Sequence, residues 1–591
     1  MTSSAASTVF TRDDIERLQP TSLTDLLSRV PRRASRTAAA VAAASRGFSF
    51  AGPQSAQSLV LVDGQRIANA TSADSNLQFL SVDQIERVEV LRGSRSVIYG
   101  ADAIGGVIQI FTRRGAEQGL KPRLKVGYGS NNSWQHSMGL SGGDQQTHFN
   151  LGVSLDETAG FNRSQRSFAS DGDDDAYRNK SLNLNLSHQL GDDIEIGLNL
   201  LDNRGKTEFD NSFGRYDPAT QSSVGQKPYS KFDLSSVSTY FDVRLTERWK
   251  SRLELGHSEN RDTSLDTLSD DRSVFNTYRD SANWQNTLTL NDRHSLIPRR
   301  RLVRGPLPRL HHLQRKQPLE PRRVCPASLS RASSSPRSLG LRRHDQNQQF
   351  GGQNTWSGTL TVPINPDNDV LLSYSEGFRA PTFNDLYYPD TQYSNPNLRP
   401  ETSKSYELQW RSQLSDHARL EASLYRTNLS DAIILDSTSK PQNVASARIN
   451  GFEAALKQEL FGWQGNVGVS FIDPRDRDTG HTLARRARRT LSLDLDRQFD
   501  ALGVGASWQA ISNSYNAQDN QDRLGGYALL GLRSRWAVTR EVSVSLNVDN
   551  LLDRQYARAR YSYNAADFSN NQNYREEGRT WMLSLTWTPE L

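Results

Sequence analysis

The chain has 591 residues, a formal net charge of +5 and a single cysteine, and 35% of its residues are hydrophobic. One cysteine excludes a disulfide framework and a structural zinc site built from cysteines. No run of residues approaches the roughly 20 consecutive apolar residues of a membrane-spanning helix, which excludes a helical membrane bundle. A membrane β-barrel is not excluded, because each of its strands needs about ten residues with only every second one facing lipid.

Two short helices are predicted near the N-terminus. The sequence TRDDIERLQPTSLTDLLSRVP supplies a capping residue before each helix and a proline between them. Leu23, Leu26 and Leu27 fall on one face of the second helix. Taken alone, two such helices suit the surface of any domain.

Short strands separated by turns are predicted for residues 59–115. The segments LVLVDG, IERVEVLRG and GGVIQIF are brief apolar alternations broken by glycine-rich turns. No nucleophile-and-base pair, Cys/His cluster or phosphate-binding loop lies among them. No arrangement of catalytic side chains elsewhere in the chain supports an enzyme. The sequence therefore predicts a protein that is not an enzyme.

After Leu124, most of the chain shows repeated alternation of apolar and polar residues with a period of two. Segments such as KSLNLNLSHQL, SVSTYFDVRLT and ARLEASLYRTNL are separated by polar loops rich in Asn, Asp, Gly and Ser. The 476 residues after Gly115 allow about 22 strands with their connections, as in barrels with a plugged lumen. A soluble sandwich also alternates, but a single sandwich does not reach this size.

Two later segments carry a specific resemblance. The chain reads YSEGFRAPTFNDLYYP and then NPNLRPETSKSYELQW, and it closes with VSVSLNVDNLLDRQY and GRTWMLSLTW. Together with residues 59–115, these segments resemble the TonB-dependent outer-membrane receptors, especially the cobalamin (vitamin B12) transporters. The resemblance implies an all-β membrane fold, in which residues 1–115 form a small α+β plug domain inside an antiparallel transmembrane β-barrel formed by residues 116–591.

The function implied by this resemblance is active uptake of cobalamin through the outer membrane of a Gram-negative cell. The implied partners are the TonB energy-coupling complex, outer-membrane lipid and cobalamin. The resemblance implies a monomer and no nucleic acid. A receptor for a ferric chelate (siderophore) of the same fold is the alternative within the class, and a non-functional product is the alternative for this particular chain.

The chain departs from the family pattern at residues 32–53, where RRASRTAAAVAAASRGFSFAGP replaces the expected PGV and IRG segments. Codons chosen for Arg32 to Thr37 can be read in another frame as PGVQD, and those for Arg46 to Pro53 as GLFIRGT. We therefore interpret residues 32–53 as an out-of-frame tract. A natural alanine-rich linker is the alternative.

A second departure covers residues 298–343, which are rich in proline and arginine and lose the strand alternation. Codons for Arg299 to Pro306 can be read in another frame as GVDWYED, so we interpret this tract as out of frame too. The two tracts hold 17 Lys and Arg against one acid, and without them the net charge of +5 would become −11. We expect about two wall strands to be missing here and an irregular excursion in their place.

The two chain ends also depart from the family. Nothing before Thr8 resembles a signal peptide or the Ton box on which TonB pulls, so we expect the true start of the protein to lie upstream. Such barrels usually end on an aromatic residue that the assembly machinery reads. Here four residues follow Trp587.

Site residues are implied mainly by the resemblance. Cobalamin transporters bind calcium on extracellular loops, and clustered carboxylates on flexible loops suit that hard cation. A solvated acidic loop is the plain alternative. The plug loop 69–78 lacks aromatic residues before Asn76, which favours a neutral corrinoid over an iron chelate; a solvated turn is its alternative. The implied calcium ligands are Asp156, Asp173, Asp175 and Asp210, with Asp217 as a less secure fifth, and the implied ligand-binding residues are Thr71, Ser72 and Asn76.

Overall fold

The plug and the barrel wall are both present in a computed structural model of the chain. It describes residues 7–30, 58–69, 76–115, 118–164, 173–210, 215–217, 219–224, 226–269, 272–291, 294–304, 320–329, 337–347, 350–388, 391–435, 440–443, 446–562 and 571–589. The first interpreted out-of-frame tract, residues 32–53, lies outside these residues. Among the described helices, none is long and apolar enough to cross a membrane.

The N-terminal domain is a small mixed sheet with short helices. Its elements are β1 (Ser7–Phe10), α1 (Arg12–Leu18), α2 (Leu23–Ser28), β2 (Ser58–Val62), β3 (Gln65–Arg66), β4 (Ile85–Arg92), α3 (Ser96–Tyr99) and β5 (Gly106–Thr112). The strand order is β1-β4-β5-β2-β3. Strands β2 and β5 are parallel and the other neighbours are antiparallel.

The two predicted helices are confirmed, together with their caps. The Thr11 side chain accepts a hydrogen bond from the backbone N–H of Asp14, whose carboxylate accepts one from the backbone of Thr11, which completes a capping box. Ser22 caps α2 through the backbone N–H of Asp25. The predicted apolar face of α2 is fully buried in the plug core.

The barrel wall consists of long antiparallel strands. They are β6 (Gly119–Gly129), β7 (Ser133–Gly143), β8 (Thr147–Thr158), β9 (Tyr177–Leu190), β10 (Ile194–Glu208), β13 (Pro228–Thr246), β14 (Trp249–Asp266), β15 (Arg272–Asn291), β16 (His294–Leu296), β17 (Arg299–Arg304), β18 (Glu320–Leu329), β19 (Arg337–Asn347), β20 (Gly351–Asn365), β21 (Asn368–Arg379), β22 (Glu401–Ser415), β23 (Ala418–Ser430), β26 (Ala447–Leu460), β27 (Trp463–Asp476), β28 (Arg489–Phe499), β29 (Leu502–Ile511), β32 (Tyr527–Ala537), β33 (Val542–Asp549) and β36 (Thr580–Trp587).

Short ribbons and one helix lie in the connections. They are β11 (Arg215–Asp217) with β12 (Ser222–Val224), β24 (Ile433–Leu435) with β25 (Pro441–Asn443), β30 (Ser514–Tyr515) with β31 (Arg523–Leu524), β34 (Arg560–Ser562) with β35 (Asn571–Asn573), and α4 (Phe383–Tyr387).

The wall closes on itself because β36 pairs with β6. Strands β16 and β17 share one position, since both pair with β15 on one side and β18 on the other. The chain breaks between them at Ile297 and Pro298, as expected where proline removes a ladder donor. The described strands thus fill 22 positions, which confirms the predicted barrel.

The expectation that two wall strands are missing near residues 298–343 is wrong over the described part of that tract. Strands β17, β18 and the first part of β19 continue the wall there, although β18 contains two prolines. Without them β15 and β20 would present unpaired backbone groups, and pairing those groups outweighs local propensity. The rest of the tract, residues 305–319 and 330–336, lies outside the described residues.

Polar and apolar side chains alternate across the wall with the polar ones inside. In β9, Asn179, Ser181 and Asn183 are buried toward the lumen, whereas Leu186 on the other face is 40% exposed. A polar interior and an apolar exterior are the pattern of a membrane barrel. Connections at one end of the wall are short, such as 144–146 and 191–193, whereas the other end carries the long ones, such as 380–400 and 550–579.

Candidate functional site

The plug contacts the wall through charged side chains beside its two N-terminal helices. Arg29, just after α2, donates to the Asp494 carboxylate at 2.6 Å, and both side chains are at most 10% exposed. Arg533 donates to Asp494 at 3.3 Å and to Asp496 at 2.7 Å. Arg17 of α1 also contacts Asp496. Three arginines therefore surround two buried carboxylates where the plug meets β28 and β32.

A second charged contact joins the plug to β6. The Asp83 carboxylate lies 2.9 Å from Lys125 Nζ, 3.6 Å from Arg123 and 3.9 Å from Arg12. Burial opposes ionisation here, but these cations hold the pKa of Asp83 well below its usual range. Glu16 of α1 is partly buried; burial opposes its ionisation, but Arg12 and Arg123 lower its pKa to about 2. Both acids are charged at neutral pH.

A third contact lies at the far end of β4. Arg92 donates to Glu453 at 3.1 Å, and both side chains are nearly fully buried. The Tyr425 hydroxyl donates to the same carboxylate at 3.1 Å. Ser94 follows two residues after Arg92, and its hydroxyl lies 3.2 Å from the hydroxyl of Ser403. The Arg92–Glu453 and Ser94–Ser403 contacts each join one plug residue to an inward-facing wall residue.

An open cleft separates part of the plug from the wall. It has a volume of about 1020 Å³ and runs between the α1–α2 face and strands β6–β9, β29, β32, β33 and β36. Asn150 and Asn183 line it from the wall side, and Gln84 and Asp83 line it from the plug side. The plug therefore fills the lumen without packing tightly against this sector.

Of the predicted ligand-binding residues, only Asn76 lies within the described part of the chain; Thr71 and Ser72 fall outside it. Asn76 has a left-handed backbone, with φ of 48°, and is 7% exposed. Its side-chain amide donates to Asn260 of β14 at 3.3 Å, and Asn260 donates to the Ile67 carbonyl at 2.9 Å. Asn76 therefore joins the base of the plug loop to the wall.

Two of the predicted calcium ligands meet at one loop segment. The Asp175 carboxylate accepts from the backbone N–H of Arg163 at 3.3 Å, and Asp210 accepts from that of Ser164 at 2.9 Å. Both carboxylates are buried. Consecutive amides thus bring acids from the ends of two neighbouring loops to one place.

The other predicted ligands lie apart from this pair. Asp173 is half-exposed and forms an ion pair with Lys227 at 3.2 Å. Asp156 lies on β8, where its carboxylate accepts a hydrogen bond from Ser81 of the plug. The side chain of Asp217 lies outside the described residues.

Carboxylate oxygens on flexible loops are the donors that calcium prefers, so the chemistry of Asp175 and Asp210 fits that ion. Across the described ranges, however, no three His, Cys, Asp or Glu side chains are grouped closely enough to hold a metal. The donor type therefore fits calcium, whereas the described residues do not assemble a finished site.

Sequence reasoning missed the charged contacts between plug and wall. The signal was present in RTLSLDLDRQF, where Asp494 and Asp496 occupy alternate positions of a strand whose other face is apolar. In a barrel such positions point into the lumen, where an unpaired carboxylate is costly. That cost predicts cationic partners on whatever fills the lumen.

Comparisons with known proteins agree on one family. The family model "TonB-dependent Receptor Plug Domain" matches residues 1–107, and "TonB dependent receptor-like, beta-barrel" matches residues 337–551. The chain is 28% identical over 603 residues to the vitamin B12 transporter BtuB of Vibrio vulnificus, covering 99% of this chain and 92% of that protein. It is 26% identical over 582 residues to BtuB of Photobacterium profundum, covering 96% and 91%.

Solved structures agree on the fold. The ferric enterobactin receptor PfeA of Pseudomonas aeruginosa, in a mutant form, superposes with a TM-score of 0.80 at 17% identity, covering 99% of this chain and 98% of that one. At this identity the likeness concerns architecture alone.

Proposed function

The chain belongs to the TonB-dependent receptors, and we propose that it takes up cobalamin through the outer membrane by TonB-driven movement of its plug. The observation that carries this proposal is the charged junction between plug and wall. A plug fixed by apolar packing would be costly to displace into water, whereas ionic groups regain hydration when they separate. The cleft beside α1 and α2 leaves room for such movement.

Two observations support cobalamin as the substrate. Two similar curated proteins that cover nearly the whole chain are vitamin B12 transporters. The plug loop after Asn69 carries no aromatic residue before Asn76, and it therefore lacks the stacking surfaces that suit a planar aromatic chelate. Purified receptor should bind cobalamin saturably and a ferric catecholate weakly. The reverse order of affinities would replace cobalamin with a siderophore in this proposal.

Plug movement can be tested by a reversible cross-link. The hydroxyls of Ser94 and Ser403 are 3.2 Å apart, so cysteines at both positions lie within disulfide range. In a Cys325→Ser background, the variant Ser94→Cys/Ser403→Cys should lose uptake when oxidised and recover it with reductant, while binding persists. Ser94→Cys alone is the matched control. Full uptake by a completely cross-linked receptor would contradict plug movement at this contact.

We further propose that calcium binds the extracellular loops through Asp175 and Asp210, with Asp173, Asp156 and Asp217 as further candidates. Cobalamin affinity should then rise with calcium by about 5- to 150-fold, the usual range of coupling between two sites. Asp175→Asn/Asp210→Asn should remove this dependence, and Asp193→Asn, in a turn at the opposite end of the wall, should not. Affinity that ignores calcium in the unaltered protein would exclude this role.

The two tracts interpreted as out of frame remain a prediction about the gene. Sequencing the DNA under residues 32–53 and 298–343 tests it directly. The prediction fails if the codons there cannot be read in the alternative frames. If they can, the proposed transport activity belongs to the restored sequence, and the chain as printed is a non-functional product.

A further inference from the structure

Three long connections in one sector of the wall are joined to one another by hydrogen bonds. They link β27 to β28 (residues 477–488), β29 to β32 (512–526) and β33 to β36 (550–579). Their strands are consecutive in the wall, so the connections are neighbours along its rim. Here the term loop cover means the described parts of these three connections, all of which lie outside the two tracts interpreted as out of frame.

Asn516, in the middle connection, forms hydrogen bonds to both of the others. Its side-chain oxygen accepts from Arg485 Nε at 3.2 Å and from the backbone N–H of Arg560 at 3.1 Å. Its side-chain amide donates to the Arg560 carbonyl at 3.5 Å. One short side chain therefore joins all three connections at a single point.

Asp522 of the same connection supports Asn516 from the other side. Its carboxylate accepts from the Asn516 side-chain amide at 3.1 Å and forms an ion pair with Arg560. Its backbone carbonyl accepts from the N–H of Asn516 at 2.8 Å. The oxygen and the amide of Asn516 are thus both satisfied, which is the condition under which a polar network is rigid.

A second asparagine fixes the part of the loop cover that reaches the plug. The Asn520 side chain accepts from the N–H of Thr482 and donates to the carbonyl of Thr482, both at 2.8 Å. The next residue, Leu483, packs against a cluster that includes Ile104 of the plug and Leu429 of the wall. The middle connection therefore determines where Leu483 meets the plug.

The opposite edge of the loop cover pairs with the segment that gathers the two buried acids. Tyr574 and Ser164 form an isolated β-bridge, and the N–H of Arg575 donates to the Arg163 carbonyl at 2.9 Å. The amides of Arg163 and Ser164 bind the two carboxylates described above. The loop cover thus extends from the plug to those carboxylates.

The contacts between the three connections are polar. Within the described residues, no apolar core cluster joins one connection of the loop cover to another. Polar groups near the surface exchange protein partners for water at a small net cost. The loop cover can therefore open without exposing an apolar core, and the shared contacts of Asn516 make its connections open together.

We propose that the loop cover opens and closes over the lumen as one body, and that Asn516 is the positioning residue that holds its three connections together. A substrate bound beneath it then leaves only when all three connections open at once. Independent loops would each open more often, so joint opening slows dissociation. This role rests on the proposed function, whereas motion as one body is measurable without substrate.

The test uses the complete receptor in detergent, with hydrogen exchange followed by mass spectrometry. In the unaltered protein the three connections should share one opening constant, as a single cooperative unit does. Asn516→Ala should raise exchange in all three by at least about tenfold, because it removes several hydrogen bonds at once. Gln518→Ala should change nothing. It is the matched control, because that exposed side chain forms no hydrogen bond within the described part of the chain.

Interchanging two side chains distinguishes positioning from a general loss of stability. Asn516→Asp/Asp522→Asn keeps the bond between these two side chains and their bonds to Arg485 and Arg560, apart from the 3.5 Å bond to the Arg560 carbonyl. Exchange in this variant should stay within about fivefold of the unaltered protein, since one weak hydrogen bond is lost. If the interchange restores nothing, or if Asn516→Ala affects the middle connection alone, the proposal is overturned.

Binding kinetics with cobalamin give a second readout. Asn516→Ala should raise the dissociation rate constant by at least about tenfold and change the association rate constant much less, as is usual for altered contacts. The number of binding sites should stay the same, whereas unfolding would lower that number and leave dissociation from the remaining sites unchanged. A dissociation rate equal to that of the unaltered receptor overturns the role of the loop cover in retaining substrate.

These outcomes are distinct from a failure of the proposed function. A receptor that binds no cobalamin, but whose three connections exchange as one unit, supports the one-body cover and removes the substrate assignment. Cobalamin binding by a receptor whose three connections exchange at unrelated rates keeps the function and overturns the one-body cover.

Discussion

The interior of the plug and its perimeter are built on opposite principles. The interior is an apolar core in which Leu26, Val88 and Ile110 are essentially inaccessible to solvent. The perimeter is charged, with Arg29 on Asp494 and Arg92 on Glu453 as its buried ion pairs. The plug therefore coheres through the hydrophobic effect, and its attachment combines these charged contacts with a few apolar ones, such as Leu234 of the wall in the core cluster and Phe79 stacked on Phe232 at 3.5 Å.

This difference means that the plug can leave the wall as a folded body. Buried ion pairs contribute little net stability once desolvation is counted, but they fix geometry strictly. Apolar burial among the plug's own residues contributes about 25 cal/mol per Å² and is lost only on unfolding. A pull on the N-terminus should therefore break the perimeter before the core.

The largest expected effect comes from removing one carboxylate of the perimeter. Asp494→Ala leaves Arg29 and Arg533 buried without their shared acceptor, which should weaken plug docking by about 3–5 kcal/mol. Hydrogen exchange should rise at the plug residues that face β28 and β32, while amides of the plug core stay protected. If exchange instead rises uniformly through the plug, the core and the perimeter do not respond separately, and the prediction is contradicted.

A matched variant sharpens this result. Arg29→Met/Asp494→Met removes both charges together and should be close to neutral for docking, because no buried charge is left unpaired. If this pair is as disruptive as Asp494→Ala alone, packing rather than charge determines docking here.

The second effect acts on the interior. Leu26→Ala leaves a cavity beneath α2 and should lower the free energy of plug unfolding by about 2–5 kcal/mol. The readout is the urea concentration at which core amides exchange, with perimeter contacts unchanged at low urea. Leu253→Ala, on the exposed face of the wall, is the control and should shift that midpoint little.

The smallest effect is a dependence on pH that belongs to the perimeter. Its arginine neighbours lower the pKa of Glu16 from 4.5 to about 2 in the docked plug. A lowered folded-state pKa contributes stability that is fully present above pH 4.5 and is lost as the pH falls toward 2. Because Glu16 is partly exposed, we expect about 1 kcal/mol. Proteolysis of the N-terminal helices should increase as the pH falls over this range, and Glu16→Gln should flatten this pH profile. If the Glu16→Gln profile is the same as that of the unaltered protein, Glu16 does not contribute to the perimeter.

Much of the fold was predictable because period-two alternation and capping signals are local. Thr11 and Ser22 cap helices where the sequence places them, and alternating segments account for most of the 22 wall positions. The tract after Pro298 was not predictable in this way. Its strands exist because their neighbours need partners, a constraint that operates between segments and leaves no pattern within them.

The candidate site was less predictable for the same reason. Loop acids such as Asp175 and Asp210 can be recognised in the sequence. Their hydrogen bonds to the backbone amides of Arg163 and Ser164, which bring the two acids together, cannot. Arg29 and Asp494 are 465 residues apart in the chain. Only the lumen of a closed wall brings such residues together.

The pairing of β36 with β6 has a consequence for biogenesis. The first and last strands of the wall are hydrogen-bond partners, with Leu124 opposite Trp587. A chain that stops before β36 therefore cannot seal its cylinder, because β36 joins both open edges. Contacts between such distant segments form slowly. Closure thus acts as a check on completeness, which only a chain translated to its last strand can pass.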